Sequence, residues 1–97
     1  MTDFTLSPRA RRDLSEIWDY TAHRWGEDQA DRYVRQITAV CTDLAAGRQA
    51  GRSADAIRAG YFRCTAGSHV LFYRLGDAQG IEVIRILHQR MDVERHL

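Results

Sequence analysis

Lysine is missing from this chain, and cysteine, proline and long apolar runs are scarce. The 97 residues include two cysteines and one proline, and no apolar run approaches the roughly 20 residues that a membrane-spanning helix needs. The first residues show no basic segment leading into a long apolar one, which is the pattern of a secretory signal. We therefore expect a soluble protein with a cytoplasmic location and no membrane segment.

The two cysteines, Cys41 and Cys64, lie far apart in the sequence and form no Cys-x-x-Cys pair. His23, His69 and His96 also lack the spacing of metal ligands, and no glycine-rich loop has the pattern of a phosphate-binding loop. We therefore interpret the cysteines as small buried apolar side chains without a disulfide. We expect neither a metal nor another cofactor.

All 14 basic residues are arginine, yet the formal net charge is only +1 at pH 7. This balance argues against a protein that holds nucleic acid through bulk attraction of phosphates. The absence of lysine has two explanations. It can reflect genome composition, or it can reflect a use for the planar guanidinium group, which forms bidentate contacts with carboxylate or phosphate.

Length and composition indicate one domain that spans residues 1–97. A chain of this size lies near the lower end for a self-sufficient core and buries roughly 60 to 65% of its unfolded surface. Its hydrophobic fraction of 44% is typical of a globular protein. No internal repeat or low-complexity segment divides the chain.

The first half of the chain predicts a short strand followed by a helical hairpin. After the strand, Ser7 can cap a helix whose first position is Pro8. Apolar residues recur at helical spacing over 8–25, and a second stripe continues to Leu44. Gly26 lies between the two stripes, where glycine can end the first helix in a left-handed conformation.

The second half predicts β-strands. Two β-rich runs, 61–66 and 69–75, are separated by the two-residue connection Gly67-Ser68, which suits a hairpin. A turn at 76–80 leads into the run 81–88, which is apolar on both faces, as a central strand is. This order predicts an α+β fold, with a short N-terminal strand and an antiparallel helical hairpin packed on a mainly antiparallel, three- to four-stranded twisted sheet.

The two-residue turn also predicts which side chains share a face. If Ala66 faces His69 across the turn, alternate residues of both strands point to the same side. The residues expected beneath the helices are Phe62, Cys64, Ala66, Leu71 and Tyr73. The residues expected on the opposite, exposed face are Tyr61, Arg63, Phe72 and Arg74. Arg85 joins this basic, aromatic face if the next turn places it opposite Phe72. We favour this register, because a shift by one residue would bury an unpaired arginine.

Several segments together resemble one protein family. They are LSPRA at 6–10, IWDY at 17–20, GSHVLFYR at 67–74 and IEVIRILHQRMD at 81–92. On these segments, nearly the whole chain resembles the ParE toxins, of the RelE/ParE superfamily of type II toxin–antitoxin systems. The fold of that superfamily agrees with the α+β arrangement predicted above.

The resemblance implies a toxin that inhibits DNA gyrase by binding it and that a ParD-like antitoxin neutralises. It implies no reaction of the protein's own, no cofactor and a role in plasmid stabilisation. The expected assembly is a toxin–antitoxin hetero-oligomer, and DNA would be contacted only through the gyrase complex.

Two sets of residues follow as candidate contact sites. For the target, we expect the basic, aromatic face and the end of the last strand: Arg63, Phe72, Arg74, Arg85, His88 and Arg90. For the antitoxin, we expect apolar side chains between the helical hairpin and the sheet, where a helix could lie in a groove: Leu14, Trp18, Tyr33, Ile37 and Tyr61. The alternative for the arginines is a solvated face that prevents aggregation.

His88 is the one candidate proton carrier, because its unperturbed pKa of about 6.5 suits acid–base work at neutral pH. With the arginines of the basic face, it could serve a ribosome-dependent mRNA endonuclease of the RelE type, which needs a base and cations. The tail after His88 lacks the tyrosine that ribonuclease members commonly carry. We therefore prefer a structural or contact role for His88. The endonuclease, and a non-toxic domain that binds an antitoxin or DNA, are kept as alternatives.

Overall fold

We describe the fold from a computed structural model of the chain. A short strand and a helical hairpin come first, and most of the strands follow the hairpin. The structure describes residues 3–76 and 80–97. In chain order its elements are β1 (Phe4–Leu6), α1 (Pro8–Trp25), α2 (Glu27–Ala45), β2 (Arg52–Ser53), β3 (Tyr61–Ala66), β4 (His69–Leu75), β5 (Ile81–His88) and α3 (Val93–His96). This order confirms the predicted α+β class. Most of the predicted turn at 76–80 lies outside the described residues.

α1 begins and ends at the residues that the sequence predicts, Pro8 and Trp25. The Ala10 N–H donates to Ser7 Oγ at 3.0 Å, and Pro8 occupies the first turn, where its missing N–H costs nothing. At the other end, Gly26 adopts φ 95°, and its N–H donates to the Ala22 carbonyl. Because α2 begins at the next residue, this one glycine both ends α1 and starts the return of the hairpin.

The sheet has the strand order β1-β5-β4-β3-β2 in the described residues. β1 runs parallel to β5, and the other neighbouring pairs are antiparallel. The sequence predicts a sheet of three to four strands, and the structure has a sheet of five strands in the described residues. The additional strand, β2, has only two residues, both exposed, so no periodic pattern marks it in the sequence.

The predicted hairpin register is confirmed. Ala66 pairs with His69, and the pairing continues to Tyr61 with Arg74. Gly67 in the turn has φ 61°, a conformation that glycine adopts without strain. Arg85 also pairs with Phe72 as expected, and an irregularity in the β4–β5 ladder follows directly, between Phe72 and Tyr73.

The main core lies between the helical hairpin and one face of the sheet. Its buried members are Ala10, Ile17, Ile37, Cys41, Leu44, Ala45, Cys64, Ala66, Leu71, Tyr73, Ile81, Val83 and Ile86. Both cysteines are buried, as predicted. Burial raises the pKa of the Cys41 thiol to about 11, so this thiol stays protonated at neutral pH. Every helix in the described residues is too short or too polar to span a membrane.

A second, smaller core lies on the opposite face of the sheet. Val70, Phe72 and Leu87 are buried there, and the side chains that pack over them are Ile57, Val93 and Leu97. Phe72 is fully buried. The expectation that Phe72 is exposed on a basic, aromatic face is therefore wrong, because the segment around Ile57 and the C-terminal residues cover this part of the sheet.

Candidate functional site

Asp13 and Arg85 form a buried ion pair where α1 crosses the edge of β5. Arg85 Nε donates to Asp13 Oδ2 at 2.8 Å, and Arg85 Nη2 donates to Asp13 Oδ1 at 3.0 Å. The same carboxylate accepts the Ile86 N–H at 2.9 Å, and Arg85 Nη1 donates to the His96 carbonyl at 2.9 Å. One carboxylate thus joins helix and strand, while the guanidinium also holds the C-terminal segment.

The short length of β1 explains why this ion pair forms. β1 pairs with β5 only as far as Val83, after which Ser7 binds the Val83 and Ile84 carbonyls. Beyond that point, no strand in the described residues pairs with this edge of β5, and Asp13 accepts the Ile86 N–H instead. An edge N–H left without an acceptor would carry a desolvation cost.

Arg85 therefore does not lie on an exposed face, although its predicted pairing with Phe72 is correct. Its side chain is 13% exposed, and that of Asp13 is 10% exposed. The hydrogen bonds that the guanidinium donates to Asp13 raise its pKa and keep it charged in this setting. The expectation of a solvent-facing Arg85 is wrong, because a carboxylate of α1 draws the side chain around the strand edge.

Two histidines lie side by side next to this ion pair. His69 and His88 pair across β4 and β5, and their rings meet edge to face with centroids 5.3 Å apart. The Tyr33 hydroxyl accepts the Ser68 N–H at 3.0 Å and lies 2.6 Å from His69 Nδ1. The tautomer of the His69 ring decides which of the two groups donates, because the hydroxyl can either donate to Nδ1 or accept from it. Burial, followed by the nearby charge of His88, lowers the pKa of His69.

The two histidines line a groove between the end of α1 and the C-terminal half of β5, here called the histidine groove. Its volume is about 480 Å³, and a neighbouring recess of about 260 Å³ shares Tyr20, Thr21, His69 and His88 with it. The side chains that give the groove its apolar character include Ile17, Tyr20, Leu87 and Met91. Trp25 lines the recess. Tyr20, Trp25 and Met91 are exposed large hydrophobic residues.

The predicted target-binding residues do not form one cluster. Arg74 donates to Glu82 across the β4–β5 ladder at 2.7 Å, and Arg85 is held by Asp13. Arg63 is exposed, with its guanidinium 5.6 Å from the centroid of the Phe72 ring. His88 and Arg85 line the histidine groove, whereas Arg63 lines a different recess, at the β2–β3 edge.

His88 and Arg90 contact each other at the end of β5. The Arg90 N–H donates to His88 Nδ1 at 3.1 Å, and the Arg90 side chain is exposed. In the neutral ring of His88, the proton is therefore on Nε2, because Nδ1 serves as acceptor. The two residues remain target-binding predictions.

The predicted antitoxin-binding residues are also dispersed. Ile37 is fully buried in the main core, so its assignment to a contact surface is wrong: it lies at the centre of the α2 stripe that faces the sheet. Leu14 packs against the same core. Trp18 Nε1 donates to Asp31 at 2.9 Å and links the two helices. The centroid of the Tyr61 ring lies 5.9 Å from the Arg58 guanidinium.

Asp13, Tyr20 and Met91 also line the histidine groove, although they are not among the residues predicted from the sequence. A signal for Asp13 was present, since an acidic residue three after Ala10 and four before Ile17 lies on the buried stripe of α1. Such a carboxylate requires a cation or several N–H donors. Tyr20 and Met91 carry no comparable signal. Within the described parts of the chain, no group of three or more histidine, cysteine or acidic residues is arranged to hold a metal ion.

Comparison with known proteins identifies relatives along the whole chain. The family described as "ParE toxin of type II toxin-antitoxin system, parDE" matches residues 4–93. Toxin ParE1 of Mycobacterium tuberculosis (strain H37Rv) is 50% identical over 94 residues, covering 97% of this chain and 96% of the relative. Toxin ParE1 of Caulobacter vibrioides is 44% identical over 97 residues, covering 100% of this chain and 99% of the relative.

Two solved structures share the fold. One, described as a chromosomal ParDE TA system from P. aeruginosa, superposes with a TM-score of 0.75 at 23% identity and covers 91% of this chain and 96% of that chain. The other, the RelBE2 toxin–antitoxin complex from Mycobacterium tuberculosis, has a TM-score of 0.68 at 20% identity and covers 93% of each chain. The resemblance drawn from the sequence motifs is confirmed, and the chain belongs to the family of ParE toxins of type II toxin–antitoxin systems.

Proposed function

We propose that this protein inhibits DNA gyrase by binding it, and that a ParD-like antitoxin neutralises it in a hetero-oligomeric complex. The observation that carries the proposal is the identity of 50% with a protein named Toxin ParE1 over nearly the entire chain. A structural neighbour described as a ParDE system supports the antitoxin class.

The arrangement of the candidate catalytic side chains supports a binding mode of action over RNA cleavage. An RNA endonuclease needs a base and cations that converge on one phosphate. Here, the guanidinium groups of Arg74 and Arg85 are paired with carboxylates, and Arg63 lines another recess than His88. These positions favour inhibition of the target without a reaction on the toxin.

The histidine groove is the surface that we assign to the antitoxin. An amphipathic helix binds by placing an apolar stripe into a hydrophobic groove, and exposed aromatic side chains commonly dominate such contacts. Tyr20, Trp25 and Met91 supply exposed apolar surface around the groove. Their solvent exposure in the isolated chain is a liability that a bound segment removes.

Activity assays of the purified toxin test the gyrase proposal. We expect loss of supercoiling and accumulation of gyrase–DNA cleavage complexes, with no RNA cleavage on ribosomes. His88→Ala should retain gyrase inhibition, at most partially weakened, because no chemical step is removed. Ribosome-dependent RNA cleavage that disappears in His88→Ala would instead establish the endonuclease alternative.

Isothermal titration with the cognate antitoxin segment tests the groove. Tyr20→Ala should weaken binding by about tenfold or more, as expected for an aromatic contact that contributes over 1 kcal/mol. Leu75→Ala is the matched control, because Leu75 is an exposed large hydrophobic residue that does not line the histidine groove. Equal affinity of both variants would place the antitoxin elsewhere.

A further inference from the structure

Two arginines face each other at the opposite edge of the sheet. Arg52 of β2 is directly paired with Arg63 of β3, and both side chains are exposed. Facing residues of an antiparallel pair point to the same side of the sheet, with Cβ atoms about 5 Å apart. Like charges in this arrangement repel each other, so this pair lowers the stability of the unliganded protein.

No carboxylate in the described residues compensates these two charges. The ion pairs seen over residues 3–76 and 80–97 involve Arg48, Arg74 and Arg85. The side chains around Arg52 and Arg63 also include no acid: the residues that line their recess are Ala50, Gly51, Arg52, Ser53, Arg63, Cys64 and Thr65. The recess, with a volume of about 630 Å³, therefore concentrates positive charge.

A buried aromatic ring next to the recess supports Arg63. Its guanidinium lies 5.6 Å from the centroid of the Phe72 ring, within the range of a cation–π contact. Because Phe72 is fully buried, this ring is a fixed support. A pre-positioned arginine loses less side-chain entropy when it binds a ligand. Ser53 and Thr65 add hydroxyl groups that can donate hydrogen bonds.

We propose that the recess around Arg52 and Arg63 binds a phosphate group. A phosphate monoester carries a charge of about −1.5 to −2 and three acceptor oxygens. One such group can neutralise both guanidinium groups, each of which offers a planar fork of donors. A carboxylate carries a single charge and would leave one arginine uncompensated. This site is separate from the histidine groove and goes beyond the inhibition of gyrase proposed above.

Titration with inorganic phosphate, followed by backbone amide NMR at constant ionic strength, tests this site. We expect saturable shifts confined to residues 51–53 and 63–65, with acetate causing no saturable shift there. Arg52→Gln and Arg63→Gln should each weaken phosphate binding by about tenfold, the effect of losing a hydrogen bond to a charged group. Arg63→Lys should weaken phosphate binding less than Arg63→Gln does, since lysine keeps the positive charge but lacks the planar guanidinium group.

Arg35→Gln is the matched control, because Arg35 is an exposed arginine of α2 outside the recess. If this variant weakens phosphate binding as much as the recess variants do, or if acetate saturates the same amides, the proposal is overturned. A short DNA duplex then identifies the source of the phosphate. Salt-dependent DNA binding that is lost in Arg52→Gln and Arg63→Gln indicates the nucleic-acid backbone, whereas phosphate binding without DNA binding indicates a free phosphate or a nucleotide.

Discussion

Arginine has opposite roles at the two edges of the sheet. At the β5 edge, Arg85 is nearly buried, and its guanidinium donates to Asp13 and to the His96 carbonyl. At the β2 edge, Arg52 and Arg63 face each other in solvent without a carboxylate in their recess. The same residue type thus stabilises the fold at one edge and leaves unneutralised charge at the other. Arginine content alone therefore does not reveal a binding surface, because the partner of each guanidinium decides its role.

Asp13→Ala should remove the ion pair at the β5 edge, and we expect it to cause the largest loss of stability among the changes proposed here. The change leaves Arg85 without its carboxylate and the Ile86 N–H without an acceptor. We expect the free energy of unfolding to fall by about 3 kcal/mol, near the lower end for a broken buried ion pair. Chemical denaturation measures this loss. Asp13→Asn, which keeps an acceptor oxygen, should lose less, and a loss below about 1 kcal/mol for Asp13→Ala would show that the pair is only peripheral.

His69, which lines the histidine groove together with Arg85, should make the stability of the protein depend on pH. Because the pKa of His69 is lowered in the folded state, the unfolded chain takes up a proton first as the pH falls. The stability contributed by neutral His69 is complete above its unfolded pKa of about 6.5 and is lost as the pH falls through the lower folded pKa. Unfolding midpoints measured between pH 8 and pH 5 should show this decline.

His69→Gln should flatten the decline, since no titrating ring remains next to Tyr33. His23→Gln is the control, because the His23 side chain is exposed on α1 and makes no hydrogen bond within the described residues. A pH profile that is unchanged in His69→Gln would assign the decline to another group.

Arg52→Gln should produce the smallest change in stability. It tests whether the two arginines at the β2 edge repel each other. Removal of one of two facing like charges relieves repulsion, so the free energy of unfolding should stay the same or rise, within about 0.5 kcal/mol. The measurement is chemical denaturation at low salt, where the repulsion is least screened. A clear loss of stability would mean that Arg52 supports the fold and would weaken the case for a ligand site.

Local signals in the sequence predict much of the fold. Ser7 and Pro8 determine the start of α1, and the two-residue turn at Gly67 fixes the register of β3 and β4. These features depend on neighbouring residues, which a sequence displays directly. The two-residue strand β2 has no such signature, because its pairing is set by β3 rather than by its own pattern.

The site was harder to predict because its contacts join distant parts of the chain. Arg85 and Asp13 are separated by 72 positions, and the alternation of a strand cannot indicate a side chain that bends around the sheet edge. Phe72 is covered by Ile57 and by Val93 and Leu97 near the C-terminus. The helix in that segment, α3, has four residues and is too short for a periodic pattern. Ile37 shows the opposite error: a residue at the centre of an apolar stripe is the most buried, and so the least able to contact a partner.

The two tryptophans give the protein a built-in optical reporter. Trp25 is 67% exposed and lines the recess next to the histidine groove, whereas Trp18 is held between the helices by its hydrogen bond to Asp31. A segment that covers the recess would move the Trp25 indole from water into an apolar setting and shift its emission to shorter wavelength. Trp18→Phe leaves Trp25 as the sole tryptophan, so occupancy of the recess can be followed by tryptophan fluorescence without an attached dye.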